Sequence, residues 1–133
     1  MNADQLPSDV RLLLRNHIQT VLQLELLLLL HAHADGWWTA EAANREHPAT
    51  VDAAGQYLAA LCDAKLVERS DGPVPQFRFA PERAQDAATV ATIARLFRTH
   101  YYSIVEAIYA PRRRDIQDFA DAFKLNKKND ADG

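Results

Sequence analysis

Histidine and cysteine are the side chains of this 133-residue sequence that are best suited to bind a metal ion or to act as a nucleophile. His31 and His33 are two positions apart, so on one helix they point about 200° away from each other and cannot share a metal ion. His47 would have to complete such a site. The alternative is a polar helix end, where a cationic imidazole suits the helix dipole. Cys62 is the only cysteine and has no neighbouring base in the sequence, so we expect a packed thiol, no metal site and no cofactor.

Sequence motifs that support catalysis are absent. The four glycines stand singly, which excludes a glycine-rich phosphate loop, and the sequence contains neither a nucleophile elbow nor a His-Glu-x-x-His motif. We therefore predict that the protein is not an enzyme. A single cysteine cannot form an internal disulfide, which favours a reducing, cytoplasmic location.

Composition limits the class of protein further. An apolar fraction of 48% and a charged fraction of 25% fit one globular domain over residues 1–133. The formal net charge of −3 excludes a uniformly basic surface for nucleic acid.

An apolar run over residues 26–30 is followed by small residues like those at a signal-peptide cleavage site. The segment before it has no net positive charge and is interrupted by Gln19, Gln23 and Glu25. The run is also far shorter than the about 20 residues of a membrane span. We therefore predict a buried helix and no contact with a membrane.

Helical periodicity and capping residues predict the elements that carry these side chains. Apolar residues recur at helical spacing from Val10 onwards, which predicts one long helix that Ser8 caps and that Gly36 ends. Thr39 and Thr50 are each well placed to cap a further helix. The other predicted elements are helices over residues 40–47 and 51–64 and strands over residues 66–69 and 76–80.

A narrow apolar stripe runs along the segment after Pro81 for about five turns on a wheel of 100° per residue. It consists of Val90, Ile93, Phe97, Tyr101, Ile104 and Ile108. A helix of roughly 25 residues projecting from so small a domain has too little of its own chain to pack against. We therefore predict a homodimer formed through residues 83–110, against the alternative that the stripe is ordinary core.

A last helix is predicted after Pro111. Its apolar positions are Ile116, Phe119, Ala120 and Phe123. Asp115 and Asp118 lie early and lysines lie late in it, which suits the helix dipole. Residues 129–133 are expected to be a disordered tail.

The order of these elements resembles a winged helix-turn-helix. The resemblance rests on residues 38–43, on Val51, Leu58 and Leu61, and on residues 66–69 and 77–81. Over about residues 20–81 the sequence is similar to the small bacterial transcriptional regulators of the MarR and PadR type. The resemblance implies a mainly α fold with a small β-wing, in which long N- and C-terminal helices form a dimer interface, the C-terminal part covering about residues 82–128.

The same resemblance implies binding of double-stranded DNA and regulation of transcription. Residues 50–64 take the place of the recognition helix, which enters the major groove, and residues 66–80 take the place of the wing, which contacts phosphate or the minor groove. On a helical wheel Val51, Ala54, Leu58, Leu61 and Cys62 face the core. The expected DNA-binding residues are Thr50, Asp52, Ala53, Gln56, Tyr57, Arg69, Gln76 and Arg78.

Charge on the predicted helix-turn-helix departs from the pattern of DNA-binding proteins. Residues 35–65 hold two basic and five acidic side chains, and an acidic face repels a duplex. Arg69, Arg78 and residues 112–114 would have to supply positive charge, unless they merely solvate the surface. The rival hypothesis is a protein-interaction module whose acidic helix docks a basic partner. A third hypothesis is a ligand pocket beside His100, Tyr101 and Tyr102.

Overall fold

The computed structural model describes residues 1–110, which form a mainly helical fold with one small antiparallel sheet. After a 3₁₀ turn over Ala3–Gln5, the helices are α1 Ser8–His17, α2 Val21–Ala32, α3 Ala40–Glu46, α4 Val51–Asp63, α5 Ala84–Thr99 and α6 Tyr101–Tyr109. The strands are β1 Trp38–Thr39, β2 Val67–Arg69 and β3 Gln76–Phe79. The last helix and tail predicted after Pro111 lie outside the described residues.

The structure divides the predicted long N-terminal helix into α1 and α2, so the expectation of a single helix is wrong. The Thr20 hydroxyl caps α2 by accepting the Gln23 backbone N–H at 3.1 Å, and Gln23 Oε1 accepts the Gln19 backbone N–H at 2.7 Å. These two bonds satisfy N–H groups that a continuous helix would have bonded internally. The predicted cap, Ser8, is instead the first residue of α1, and Pro7 precedes it without a side-chain capping bond.

The predicted helix over residues 83–110 is also two helices, because His100 leaves the helical conformation between α5 and α6 with φ −133° and ψ 51°. The break allows both α5 and α6 to pack against α1. Three residues of the predicted dimerisation stripe are therefore fully buried in their own chain, namely Val90, Ile93 and Ile104. The expectation that this segment lacks chain to pack against is wrong. Phe97, Tyr101 and Ile108 of the stripe remain partly or largely accessible.

The three strands form a sheet in the order β1–β3–β2, with antiparallel neighbours. Trp38 pairs with Phe77, and Glu68 pairs with Arg78. The side of the sheet that carries Phe77 packs into an apolar core that includes residues of all six described helices. The sheet, α3 and α4 therefore share one hydrophobic core with α1, α2, α5 and α6.

The predicted caps of α3 and α4 are confirmed. The Thr39 hydroxyl accepts the Ala42 backbone N–H, and the Thr50 hydroxyl accepts the Ala53 backbone N–H, each at 3.0 Å. Both helices begin where these side chains satisfy an otherwise unbonded N–H group. The caps therefore fix where α3 and α4 start.

Lys65 ends α4 in a left-handed conformation with φ 65°. Its N–H donates to the Cys62 carbonyl at 3.0 Å, and the Leu66 N–H donates to the Leu61 carbonyl at 3.1 Å, which is the pattern of a Schellman motif.

An L side chain at Lys65 is strained in this left-handed conformation and glycine is not, so we expect Lys65→Gly to raise the free energy of unfolding by about 0.5–1 kcal/mol. Urea denaturation measures the change. Lys65→Ala is the control, because it removes the same charge but keeps a Cβ atom; a glycine variant no more stable than the alanine variant would contradict the prediction.

Candidate nucleic-acid interface

Helix α4 buries one side and exposes the other. The buried side is at most 1% exposed and consists of Ala54, Leu58 and Leu61, as the helical wheel predicts. Val51 is 46% exposed, so its predicted place in the core is wrong. As the first residue of α4 it lies beyond the packed part of the helix and lines a cleft instead.

The predicted DNA-binding residues of α4 and its cap differ in accessibility. Thr50, Asp52 and Gln56 are exposed, and Asp63 extends the exposed side to the C-terminal end of the helix. Ala53 and Tyr57 are half-buried, and Tyr57 packs against the core. The surface that α4 offers to a partner is therefore polar and carries two carboxylates.

A cleft of about 390 Å³ lies between α4 and the hairpin that β2 and β3 form. Its α4 side consists of Val51, Gly55 and Ala59, which recur every four residues and so share one side of the helix. Its hairpin side consists of Arg69, Val74, Pro75 and Phe77. The exposed residues of α4 thus lie next to a cleft whose other side is the hairpin.

Arg78 lies on the opposite side of the sheet from Phe77, as strand alternation predicts. One of its terminal nitrogens, Nη2, is 2.6 Å from Glu68 Oε2, and its guanidinium carbon lies 4.5 Å from the centroid of the Trp37 ring. Trp37 is the more exposed tryptophan, whereas Trp38 packs against the core. Two neighbours already engage the Arg78 cation, which reduces what it offers to a phosphate.

Arg69 is placed differently from Arg78. It pairs with Phe77 across the sheet, so it belongs to the row of side chains that faces the cleft. It is exposed and forms no ion pair with any residue in the range 1–110. Gln76, the remaining hairpin residue of the predicted site, is also exposed at the start of β3.

Two further side chains, one in α3 and one directly after it, have carboxylate neighbours. Arg45 lies 3.6 Å from Glu41, and both side chains are well exposed, so this pair contributes little to stability. His47 Nδ1 lies 3.0 Å from Glu25 Oε2 and ties the end of α3 to α2. Among the described residues from α3 to the end of β3, Arg69 is therefore the arginine with no carboxylate partner.

The candidate metal ligands do not converge. His31 makes an edge-to-face contact with Phe79, His33 lies against Trp38, and His47 pairs with Glu25. Within residues 1–110 no group of three or more histidine, cysteine or acidic side chains could hold a metal ion.

Cys62 is half-buried on α4, consistent with the expected packed thiol. Burial raises the pKa of this thiol, and the nearby Asp63 carboxylate adds to the increase, while Arg69 opposes it. The thiol therefore stays protonated at neutral pH, and the reactive thiolate form is disfavoured.

Among the described helices, none has the length and apolar character that crossing a bilayer requires. Comparison of the chain with protein-family models, with curated proteins and with solved structures gives no match.

Proposed function

We propose that the protein is a winged-helix transcriptional regulator that binds double-stranded DNA as a cytoplasmic homodimer. One observation carries the proposal: the strand order β1–β3–β2 brings the β2–β3 hairpin beside the exposed side of α4. In a winged helix-turn-helix the second helix of the motif enters the major groove and the hairpin reaches the adjacent backbone or minor groove. Helices α3 and α4 with this sheet have the parts that such docking needs.

Two side chains take the main roles in this proposal. Gln56 lies in the middle of the exposed side of α4, where its amide group has the donor and acceptor that pair with adenine in the major groove. Arg69, exposed on the hairpin and without an ion-pair partner among the described residues, supplies a phosphate contact. Gln56 then contributes sequence preference, and Arg69 contributes affinity for any duplex.

Accessible aromatic side chains at the α5–α6 junction support the homodimer. The Phe97 and Tyr101 ring centroids are 5.1 Å apart, the Tyr101 and Tyr102 centroids are 5.6 Å apart, and Tyr102 is 84% exposed. Clustered aromatic residues at the surface are typical of protein interfaces. A two-fold dimer through this cluster would present two copies of α4 to two half-sites of one duplex.

Fluorescence anisotropy with labelled genomic fragments at low salt tests the proposal. Loss of one phosphate contact predicts that Arg69→Gln weakens binding to all sequences about five- to tenfold and lowers the salt dependence by about one ion. Arg78→Gln is the matched control, because it removes the same charge from the same hairpin but from a cation that Glu68 and Trp37 already engage.

Gln56→Ala is expected to change the DNA sequence that the protein prefers. A wild-type protein that binds no fragment at low salt would contradict the proposal.

A second candidate function is a protein-interaction module with a basic partner. The observation that favours it is the acidic exposed side of α4, where Asp52 and Asp63 flank Gln56 and no basic side chain is present. The pairing of Arg78 with Glu68 also reduces what this cation of the hairpin offers to DNA. Charge reversal at Asp52 and Asp63 separates the two functions and is argued in the Discussion.

A further inference from the structure

The cleft between α4 and the hairpin has walls that are mostly apolar. Seven of the ten residues that line it have no polar side-chain atom. The polar ones are Thr39, Glu41 and Arg69, and the Thr39 hydroxyl already caps α3. A volume of about 390 Å³ with apolar walls and few polar groups is typical of a small-molecule site. The cleft therefore suits an apolar compound that also carries charge.

Gly55 keeps the cleft open at its α4 wall. It lies inside α4 without a positive φ, so the backbone does not require glycine there. Packing does not require it either, because a Cβ atom at this position would meet the Ala40 Cβ in ordinary contact at 3.9 Å. Glycine inside a helix is less stable than alanine. The α4 wall thus holds a residue that lowers helix stability and enlarges the cleft, which is a trade-off typical of functional sites.

The two charged groups of the lining are available to a ligand. Arg69 belongs to β2, is exposed and forms no ion pair within residues 1–110. Glu41 belongs to α3, and its partner Arg45 is 3.6 Å away, which is beyond hydrogen-bond distance. Glu41 and Arg69 do not pair with each other. One carboxylate and one guanidinium group therefore line the same apolar cleft.

This pair of charges discriminates among apolar compounds. A simple carboxylic acid satisfies Arg69 but is repelled by Glu41, and a simple amine is repelled by Arg69. A zwitterion satisfies both, because its carboxylate accepts hydrogen bonds from the guanidinium group and its ammonium group donates to the carboxylate. An α-amino acid carries both charged groups and its side chain on one carbon atom. An apolar amino acid therefore matches the charges and the walls of the cleft together.

We propose that the cleft binds a free apolar α-amino acid of the size of leucine or phenylalanine. Arg69 binds its carboxylate, and Glu41 binds its ammonium group. Its side chain packs against Gly55, Ala59 and Phe77. An occupied cleft withdraws Arg69 from a DNA phosphate, so the amino acid lowers the affinity for DNA; this consequence alone rests on the proposed function.

NMR titration of the full-length protein with L-leucine, L-phenylalanine and free glycine tests the proposal. No DNA is present, so the outcome does not depend on the proposed function. We expect at least one of the two apolar amino acids to bind with a Kd of about 1 mM or tighter. The shift changes are expected at the amides of Gly55 and Arg69. Free glycine has both charges but no apolar side chain, so it is expected to bind at least about tenfold more weakly.

Ligands that lack one of the two charges test the roles of Glu41 and Arg69. Isocaproate is leucine without its amino group, and isoamylamine is leucine without its carboxylate. Hydrocinnamate and phenethylamine are the corresponding analogues of phenylalanine. Because each analogue loses one charge-assisted contact, we expect each to bind about five- to tenfold more weakly than its amino acid.

Three substitutions alter the cleft itself. Arg69→Gln and Glu41→Gln are each expected to weaken binding of the amino acid about five- to tenfold, since each removes one charged partner. Gly55→Leu fills the cleft from its α4 wall and is expected to abolish binding. Arg69 and Glu41 are exposed, so their variants keep the test valid if Gly55→Leu folds poorly.

Each substitution has a matched control. Arg78→Gln removes a positive charge from the other side of the sheet, Glu46→Gln removes a carboxylate at the end of α3 outside the lining, and Gly55→Ala adds a single methyl group. All three are expected to change the Kd by less than about threefold. Gly55→Ala should also raise the urea concentration at the midpoint of unfolding.

Three results would overturn the proposal. The first is the absence of shift changes with either apolar amino acid at about 10 mM. The second is an analogue that binds as tightly as its amino acid, which would leave Glu41 or Arg69 without a role. The third is equal weakening by the cleft variants and their matched controls, which would place the bound amino acid elsewhere.

Discussion

Replacement of Leu58 by alanine is expected to lower the free energy of unfolding by about 3–4 kcal/mol. Leu58 is fully buried and projects from α4 into the core. Its truncation loses both the transfer free energy of the side chain and the packing around the cavity that remains. Because a domain of this size has only about 5–15 kcal/mol of stability, a large part of the total is lost. Urea denaturation with an unchanged m-value measures the effect.

Val51→Ala is the matched control for this substitution, because Val51 begins the same helix but is 46% exposed. We expect it to change the free energy of unfolding by no more than about 0.5 kcal/mol. Equal losses in the two variants would contradict the burial of Leu58. The comparison also shows how firmly α4 is held, since its buried side consists of Ala54, Leu58 and Leu61 alone.

Elements with a local signal could be predicted from the sequence. Thr39 and Thr50 stand directly before helical patterns, and both cap a helix in the structure. The break between α1 and α2 also had a local signal, because Thr20 followed by Gln23 has the spacing of a capping box. Apolar residues at helical spacing on both sides of the break, from Val10 to Leu30, concealed it. Periodicity shows which side of a helix is apolar, but it does not show whether the helix axis changes direction along the segment.

The break at His100 has a tertiary cause that sequence spacing does not contain. The stripe continues in register through it, from Phe97 to Tyr101 and Ile104. What the break permits is packing of α6 against α1 and the N-terminal turn, where the Ser103 hydroxyl donates to the Met1 carbonyl. These contacts join residues about a hundred positions apart, so no short window of sequence could indicate them.

The candidate site could be predicted only where a local pattern determines the position of a side chain. Alternation correctly placed Arg78 on the outer side of the hairpin, and the wheel correctly exposed Asp52 and Gln56. The partners of Arg78 depend on the register that pairs it with Glu68 and on the approach of β1, which brings Trp37 alongside. A six-residue proline-containing loop does not specify that register. The distinction between an engaged Arg78 and an available Arg69 therefore requires the structure.

If α4 faces DNA, reversal of charge at Asp52 and Asp63 is expected to raise the affinity for duplex DNA at low salt by about tenfold or more. This gain corresponds to about two added phosphate contacts. Both carboxylates are exposed on the side of α4 that carries Gln56, so Asp52→Lys/Asp63→Lys replaces repulsion by attraction where the groove would lie. The salt dependence should steepen by about two ions. Anisotropy titrations over a range of salt concentrations measure both quantities.

The control, Glu82→Lys/Glu106→Lys, produces the same net charge from exposed acidic residues outside α3, α4 and the hairpin. Equal gains in affinity for the two variants would mean that overall charge, and not the α4 surface, governs binding. The interaction module predicts a different pattern: the wild type binds a lysine-rich peptide, Asp52→Lys/Asp63→Lys abolishes that binding, and the control retains most of it. The Asp52→Lys/Asp63→Lys variant is therefore tested against both partners. A gain in DNA affinity that the control lacks identifies DNA as the partner of α4, and a loss of peptide binding that the control lacks identifies a basic protein.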